Sequence, residues 1–285
     1  MRLSISAILV LLASMFPLSS YLLSLGFFGA AHIFYELSYI YKHLSFKFPR
    51  VLILAVTSLL LLLLLIKTIA IFLSIKYLLT IEIIFIFIFI VLALYFRLSF
   101  ITLLTLLLFV IGVIVSPVIL FMCLAFLHNL TPWGFLKAEN ATQNAWLIFV
   151  VNPILVFGLS LLLAIDPSFY SSQQAHLYLA HYLVSPQVNA LIISFFATAV
   201  YLQLIHYYYV IKVLPRFCAA PIKINTALSL LFCSLGLGFL YDFQDSKKFY
   251  SLIAMFHAYL EIPLLLYLLP QNGLKSAAAL KEEKT

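Results

Sequence analysis

The stretch from residue 51 to 74 reads VLILAVTSLLLLLLLIKTIAIFLS, and a single charge, Lys67, interrupts it. A helix needs about 20 predominantly apolar residues to cross the hydrocarbon of a bilayer. This run suffices, and it is not alone. Further apolar segments occupy 3–20, 22–41, 77–96, 98–128, 145–164, 187–211, 225–241 and 249–269. The segment 98–128 is long and is broken by Ser116-Pro117. It reads either as one tilted helix or as a helix with a re-entrant piece. The expected fold class is therefore all-α: a polytopic transmembrane helical bundle of about 8–10 spans. One domain covers 1–270, and 271–285 is a polar, basic C-terminal tail. Arg2 followed by an apolar run has the look of a signal peptide. The run lacks a small-residue cleavage site, however, and apolar sequence resumes through Ile40, so it reads as a retained span. A transmembrane β-barrel is excluded, because its strands would alternate apolar and polar residues. No internal repeat of the kind found in inverted-repeat transporters stands out.

Composition agrees. Of 285 residues 66% are hydrophobic and 9% charged, with a mean hydropathy of +1.19. A soluble domain carries roughly 45–50% apolar and about 25% charged residues. A soluble enzyme, a disordered chain and a nucleic-acid-binding domain are excluded. The net charge of +7 resides in short loops between apolar runs, where lysine and arginine act as topology signals and contacts to anionic lipid heads. The clusters Lys42/Lys47/Arg50, Lys212/Arg216/Lys223 and the C-terminal lysines are expected on the cytoplasmic side. An odd number of apolar segments separates the first two, so one segment, most simply 98–128, must count differently. A multi-pass protein of a bacterial inner membrane is expected. Cys123, Cys218 and Cys233 are too few and too scattered for a disulfide framework or a thiolate metal site.

Ionisable groups at membrane depth are costly and functional by default. Of nine acidic residues, Glu36, Glu82 and Glu261 lie in apolar segments. Glu82, near a segment end, reads as interfacial. Glu36 and Glu261 each follow a histidine by four residues, in His32-Ile-Phe-Tyr-Glu36 and His257-Ala-Tyr-Leu-Glu261. Positions i and i+4 share a helix face, so each pair is expected to present imidazole and carboxylate at one spot. Mutual hydrogen bonding within each pair is the bland alternative. His128 ends the fifth segment and His206 lies in the seventh. His43, in a basic loop, is expected to be solvated. His176 and His181 read as part of an interfacial amphipathic helix.

His32, His128, His206 and His257 thus occupy four separate apolar segments. Neutral imidazole is a common ligand for Fe, Cu or Zn, and carboxylate commonly orients it. The economical arrangement is a metal held between helices by these four residues. Glu36 and Glu261 would either ligate it or accept the free N–H of a ligand. Six groups would also suffice for two metals. No cysteine is placed to join them, which disfavours copper(I) and iron–sulfur.

At these residues the chain resembles the Brp/Blh family, integral-membrane β-carotene 15,15′-dioxygenases that supply retinal to rhodopsins. Gly29-Ala-Ala-His32-Ile-Phe-Tyr-Glu36 is similar to that family's Gly-x-Pro-His-Gly-x-x-Asp, with Glu for Asp and without the proline and second glycine. His128 matches a second anchor in place only. His206 resembles the first member of a late His-x-x-x-His, whose second position here is Val210. His257 with Glu261 resembles the fourth motif. The resemblance covers order, length and four anchor points rather than continuous sequence. It implies a bundle around non-haem Fe(II), one ion or two, with O₂ as co-substrate and an apolar tunnel for a long polyene. Oxidative polyene cleavage and a related carotenoid or lipid oxygenation both stay open. Under either, Glu36 and Glu261 would be catalytic-site carboxylates fixing the tautomer of their ligand histidines.

The apolar substrate would enter from the bilayer. The 27 Phe and 17 Tyr supply wall material, and Tyr35, Tyr207, Tyr208, Tyr209 and Tyr259 flank the expected ligands. An interfacial belt is the other reading for Tyr207 to Tyr209, beside Lys212. Three rivals stand against an oxygenase. Intramembrane His–Glu pairs also serve proton-coupled transporters. They can stitch helices together in an assembly factor. A di-iron desaturase or hydroxylase is a third, although clustered His-x-x-His-His boxes are missing.

Overall fold

The computed structural model describes residues 3–73, 77–163 and 189–282, and all regular structure among them is helical. The helices are α1 (Leu3–Met15), α2 (Pro17–Tyr39), α3 (Arg50–Phe72), α4 (Leu78–Phe96), α5 (Phe100–Val115) and α6 (Pro117–Asn129). They continue with α7 (Thr131–Ala138), α8 (Asn152–Leu162), α9 (Ala190–Tyr208), α10 (Thr226–Tyr241) and α11 (Phe243–Glu282). Proline opens α2 and α6, where a missing N–H costs nothing. Ser99, Ser116, Asn189 and Asn225 cap α5, α6, α9 and α10 by accepting a backbone N–H three residues on. α2 and α9 each run on through a π turn, Ile40–Leu44 and Tyr209–Val213, and then a short 3₁₀ turn.

Among the described residues five helices are long and apolar enough to cross a membrane: Pro17–Lys47, α3, α4, Ala190–Phe217 and Phe243–Leu269. The pair α6–α7, bent by 44°, makes a sixth if it is one broken span. Ser4–Met15, Phe100–Val115, Leu147–Leu162 and Thr226–Phe239 are apolar but shorter. Two boundaries differ from the hydropathy segments. The first break falls at Phe16-Pro17 rather than after residue 20. The run 98–128 is two helices, folded back about Ser116-Pro117 so that Leu120 packs at Gly112. Residues 176 and 181 lie outside the described residues.

α9 is the axis of the bundle, with 78% of its apolar window buried. A helix apolar all round belongs in a core. Its polar side chains are provided for: Ser194 and Thr198 donate to carbonyls one turn back, and Asn152 donates to Tyr201 Oη at 2.8 Å. α2, α9 and α11 run in one direction. Tyr21 meets Phe196 and Phe243 at one level, and His32 meets His206 and His257 further along. α10 crosses α2 at glycines: a Cβ on Gly236 would strike the Gly26 carbonyl. Small residues allow that backbone approach.

The ends of the three parallel helices converge. Lys42 Nζ donates to the Pro221 carbonyl at 3.4 Å, and the Phe48 and Tyr267 rings lie 5.7 Å apart. The first two basic clusters therefore share one end of the bundle, and α11 runs out there too. Glu139 receives Lys47 Nζ at 2.6 Å and His43 Nε2 at 3.2 Å. Burial alone would raise the Glu139 carboxyl, but these two partners hold it below its ordinary value of 4.5. His43 is thus not the solvated loop residue its basic surroundings suggest: it bridges to Glu139 and stacks on Tyr39.

Candidate metal centre

His32 comes from α2, His128 from the last turn of α6, His206 from α9 and His257 from α11. Each offers a ring nitrogen, and these four atoms lie within 4.8 Å of one another. His32, His206 and His257 are buried, and His128 is partly so. His32 Nε2 lies 3.2 Å from His257 Nε2. The His128 ring centre is 4.6 Å from that of His206 and 4.8 Å from that of His257. Other ring nitrogens face outward to partners. His32 Nδ1 lies 3.3 Å from the Phe28 carbonyl and His128 Nδ1 2.6 Å from Glu261 Oε2. An imidazole whose one nitrogen is so engaged presents the other as a lone pair.

The two carboxylates do different things. Glu36 Oε2 lies 3.4 Å from His206 Nε2 and 3.9 Å from His257 Nε2, on the side where the rings converge. Glu261 stands behind His128, and the Thr131 hydroxyl bridges the two, 2.7 Å from the His128 carbonyl and 3.0 Å from Glu261 Oε1. The i,i+4 spacing therefore does not pair each acid with its own histidine. Both pairings cross between helices, Glu36 with His206 and His257 and Glu261 with His128, because the shared helix face points into the bundle where the other rings already stand. Both Glu36 oxygens and both His206 nitrogens are buried without a hydrogen-bond partner. Such orphaned groups cost about 1–3 kcal/mol each unless something satisfies them. A cation does so, and the donor set of nitrogens and carboxylate oxygen fits a borderline-to-hard divalent metal.

Glu82 lies near the start of α4, as its place at a segment end suggests, but it is not solvated. It is buried, receives Lys67 Nζ of α3 at 2.8 Å and accepts from Tyr259 Oη at 2.8 Å. Mutual neutralisation accounts for it, and proximity to Lys76 gave no hint of Lys67, fifteen residues upstream on another helix.

A cavity of about 700 Å³ adjoins the cluster, lined among others by His32, His128, His257 and Glu261. That volume is in the range of small-molecule sites, roughly 300–1,000 Å³. Tyr207 and Tyr259 line it, and Tyr207 stacks on His32 with ring centres 4.1 Å apart. Tyr35, Tyr208 and Tyr209 do not line it. Tyr35 packs on Phe34, and Tyr209 lies among Phe149 and Tyr208. Thr131, Gln203 and Tyr250 belong to the wall and were not singled out by sequence. Thr131, directly before Pro132 in a broken apolar run, carried a usable signal, since broken membrane helices tend to mark sites.

No family model matches the chain, and neither does any curated protein or solved structure.

Proposed function

We propose that the chain is a multi-pass membrane protein, of a bacterial inner membrane with eight to ten crossings, that acts as a non-haem iron oxygenase on a long apolar carotenoid-like or lipid-like substrate. The carrying observation is the meeting of four imidazoles from four helices within 4.8 Å, at the wall of a largely apolar cavity. His32, His128, His206 and His257 would hold one ion, with Glu36 on its inner side. When bound, ferrous iron supplies the activation of O₂ that apolar C–H and C=C substrates require. The chain's own contributions are orientation and exclusion. Glu261 and Thr131 fix the His128 ring, and the Phe28 carbonyl fixes His32. Tyr207 covers the His32 face. The leucine- and phenylalanine-rich wall draws a hydrocarbon in from the bilayer and keeps bulk water from the cluster.

Elemental analysis after gentle extraction tests this directly. Iron near one per chain is expected, falling to background in His257→Ala with the fold retained. Two irons per chain would favour a di-iron enzyme instead. No metal, with proton-dependent uptake in vesicles, would favour a transporter.

A further inference from the structure

The cavity is not uniform along its length. On α11 its lining runs from Tyr250 to Leu269, roughly 28 Å at 1.5 Å per residue. His257 and Glu261 divide it into two arms. The arm toward Leu269 is walled by residues such as Trp133, Ile262, Leu265 and Leu266. It ends at Lys137, an exposed residue at the basic end of the bundle. The arm toward Tyr250 is shorter and carries Gln203, Tyr21, Tyr207 and Tyr250. It lies deep in the bundle, and Gln203, Tyr21 and Tyr207 are all buried.

Gln203 is held by its neighbour Ser24. Ser24 Oγ donates to the Tyr21 carbonyl at 2.9 Å. Its proton is spent there, so toward Gln203 it can only accept. Gln203 Nε2 donates to it at 2.9 Å. With Nε2 so engaged, the carboxamide oxygen of Gln203 is the acceptor it offers to a ligand. Ser24 is the hydrogen-bond partner of Gln203 among the described residues. Beside it, the Tyr207 and Tyr250 hydroxyls lie 3.5 Å apart, and Tyr250 Oη donates to the Gly29 carbonyl at 3.4 Å. Apart from the His–Glu cluster itself, no charged side chain lines this arm.

We infer that the substrate is amphipathic, a long hydrocarbon with an uncharged hydroxyl-bearing end. The end group lies against Gln203 in the short arm, and the hydrocarbon passes the histidines into the long arm. A hydrocarbon end would leave the carboxamide unpaired in an apolar cavity, and a carboxylate would meet no cation in the lining, since Lys247 stands behind the Phe243 ring; both cost free energy. The inference rests on the cavity being the substrate site proposed above, and adds which end of the substrate goes where.

The test uses the full chain in lipid nanodiscs, stripped of metal. Three conjugated-tetraene fluorophores of equal length are titrated: the terminal alcohol, the hydrocarbon and the carboxylate. The alcohol is expected to bind roughly 5–10-fold tighter than the hydrocarbon, the equivalent of one net hydrogen bond. In Gln203→Leu that preference should vanish while hydrocarbon binding persists. Ser24→Ala, which frees the carboxamide to rotate, should reduce it. Persistent hydrocarbon binding shows that each variant is folded. Equal affinity for alcohol and hydrocarbon overturns the proposal, as does an alcohol preference that survives in Gln203→Leu. Tightest binding by the carboxylate also overturns it, and would place the head group at Lys137 instead. Iron titration of the same preparation is read separately, so the metal proposal and this one can fail independently.

Discussion

Glu36 and Glu261 have the same side chain and the same offset from a histidine, yet their neighbours give them different work. Glu36 faces the nitrogens of His206 and His257, whereas Glu261 holds the far side of His128 with the help of Thr131. Removing a partner that orients a metal-ligating histidine typically costs 10–100-fold in affinity. Glu261→Ala should therefore weaken metal binding by that order. Glu261→Gln, which retains an oxygen acceptor for the His128 ring, should lose less, and Thr131→Val less still. Competition against a chelator of known affinity measures all three, and equal affinity across the series would show that His128 needs no such support. The identity of these residues was legible in the sequence, because ionisable groups in apolar runs stand out. Their pairings were not. A four-residue spacing puts two side chains on one face, but which neighbour that face meets depends on packing between segments far apart in the chain. The same reason hid the Lys67–Glu82 pair and Gln203, a neutral residue whose partner Ser24 lies 179 positions away.

At the scale of elements, the apolar runs announced the helices and the prolines marked their ends. Ser116-Pro117 was visible as a break, but not as a fold-back, since the packing of Leu120 on Gly112 is a tertiary fact. The clip between the end of α2 and the end of α7 is of the same kind. Lys47 and His43 meet Glu139 there and hold its carboxyl below 4.5. A carboxylate whose folded value is depressed binds fewer protons folded than unfolded. Its contribution to stability is then complete above the unfolded value and is lost as pH falls through the lower, folded one. Thermal unfolding in detergent should show stability declining as pH falls below about 4.5. Glu139→Gln should remove part of that decline while lowering stability at neutral pH. A variant whose acid limb matches the parent would mean the clip contributes nothing.

On the scale of the whole molecule, three parallel helices bring their basic ends together. The long run 98–128, which made the segment count between the first two clusters odd, is two helices, α5 and α6. By the positive-inside rule that common end is expected to face the cytoplasm. With Cys123, Cys218 and Cys233 replaced, single cysteines introduced at Lys47, Lys223 and Lys281 should all be labelled by an impermeant maleimide only from the cytoplasmic side. Labelling of any one from the opposite side would contradict the parallel arrangement in the bilayer.

α9 is enclosed on nearly every side, and α11, which follows it in the chain, completes both its enclosure and the histidine quartet. A ribosome delivers these elements in order, so His32, His128 and His206 enter the bilayer well before His257 does. Until α11 arrives, three of the four imidazoles and the Glu36 carboxylate wait in a half-built core open to lipid. A nascent chain arrested before Phe243 lacks His257 and Glu261, so the quartet closes only with α11.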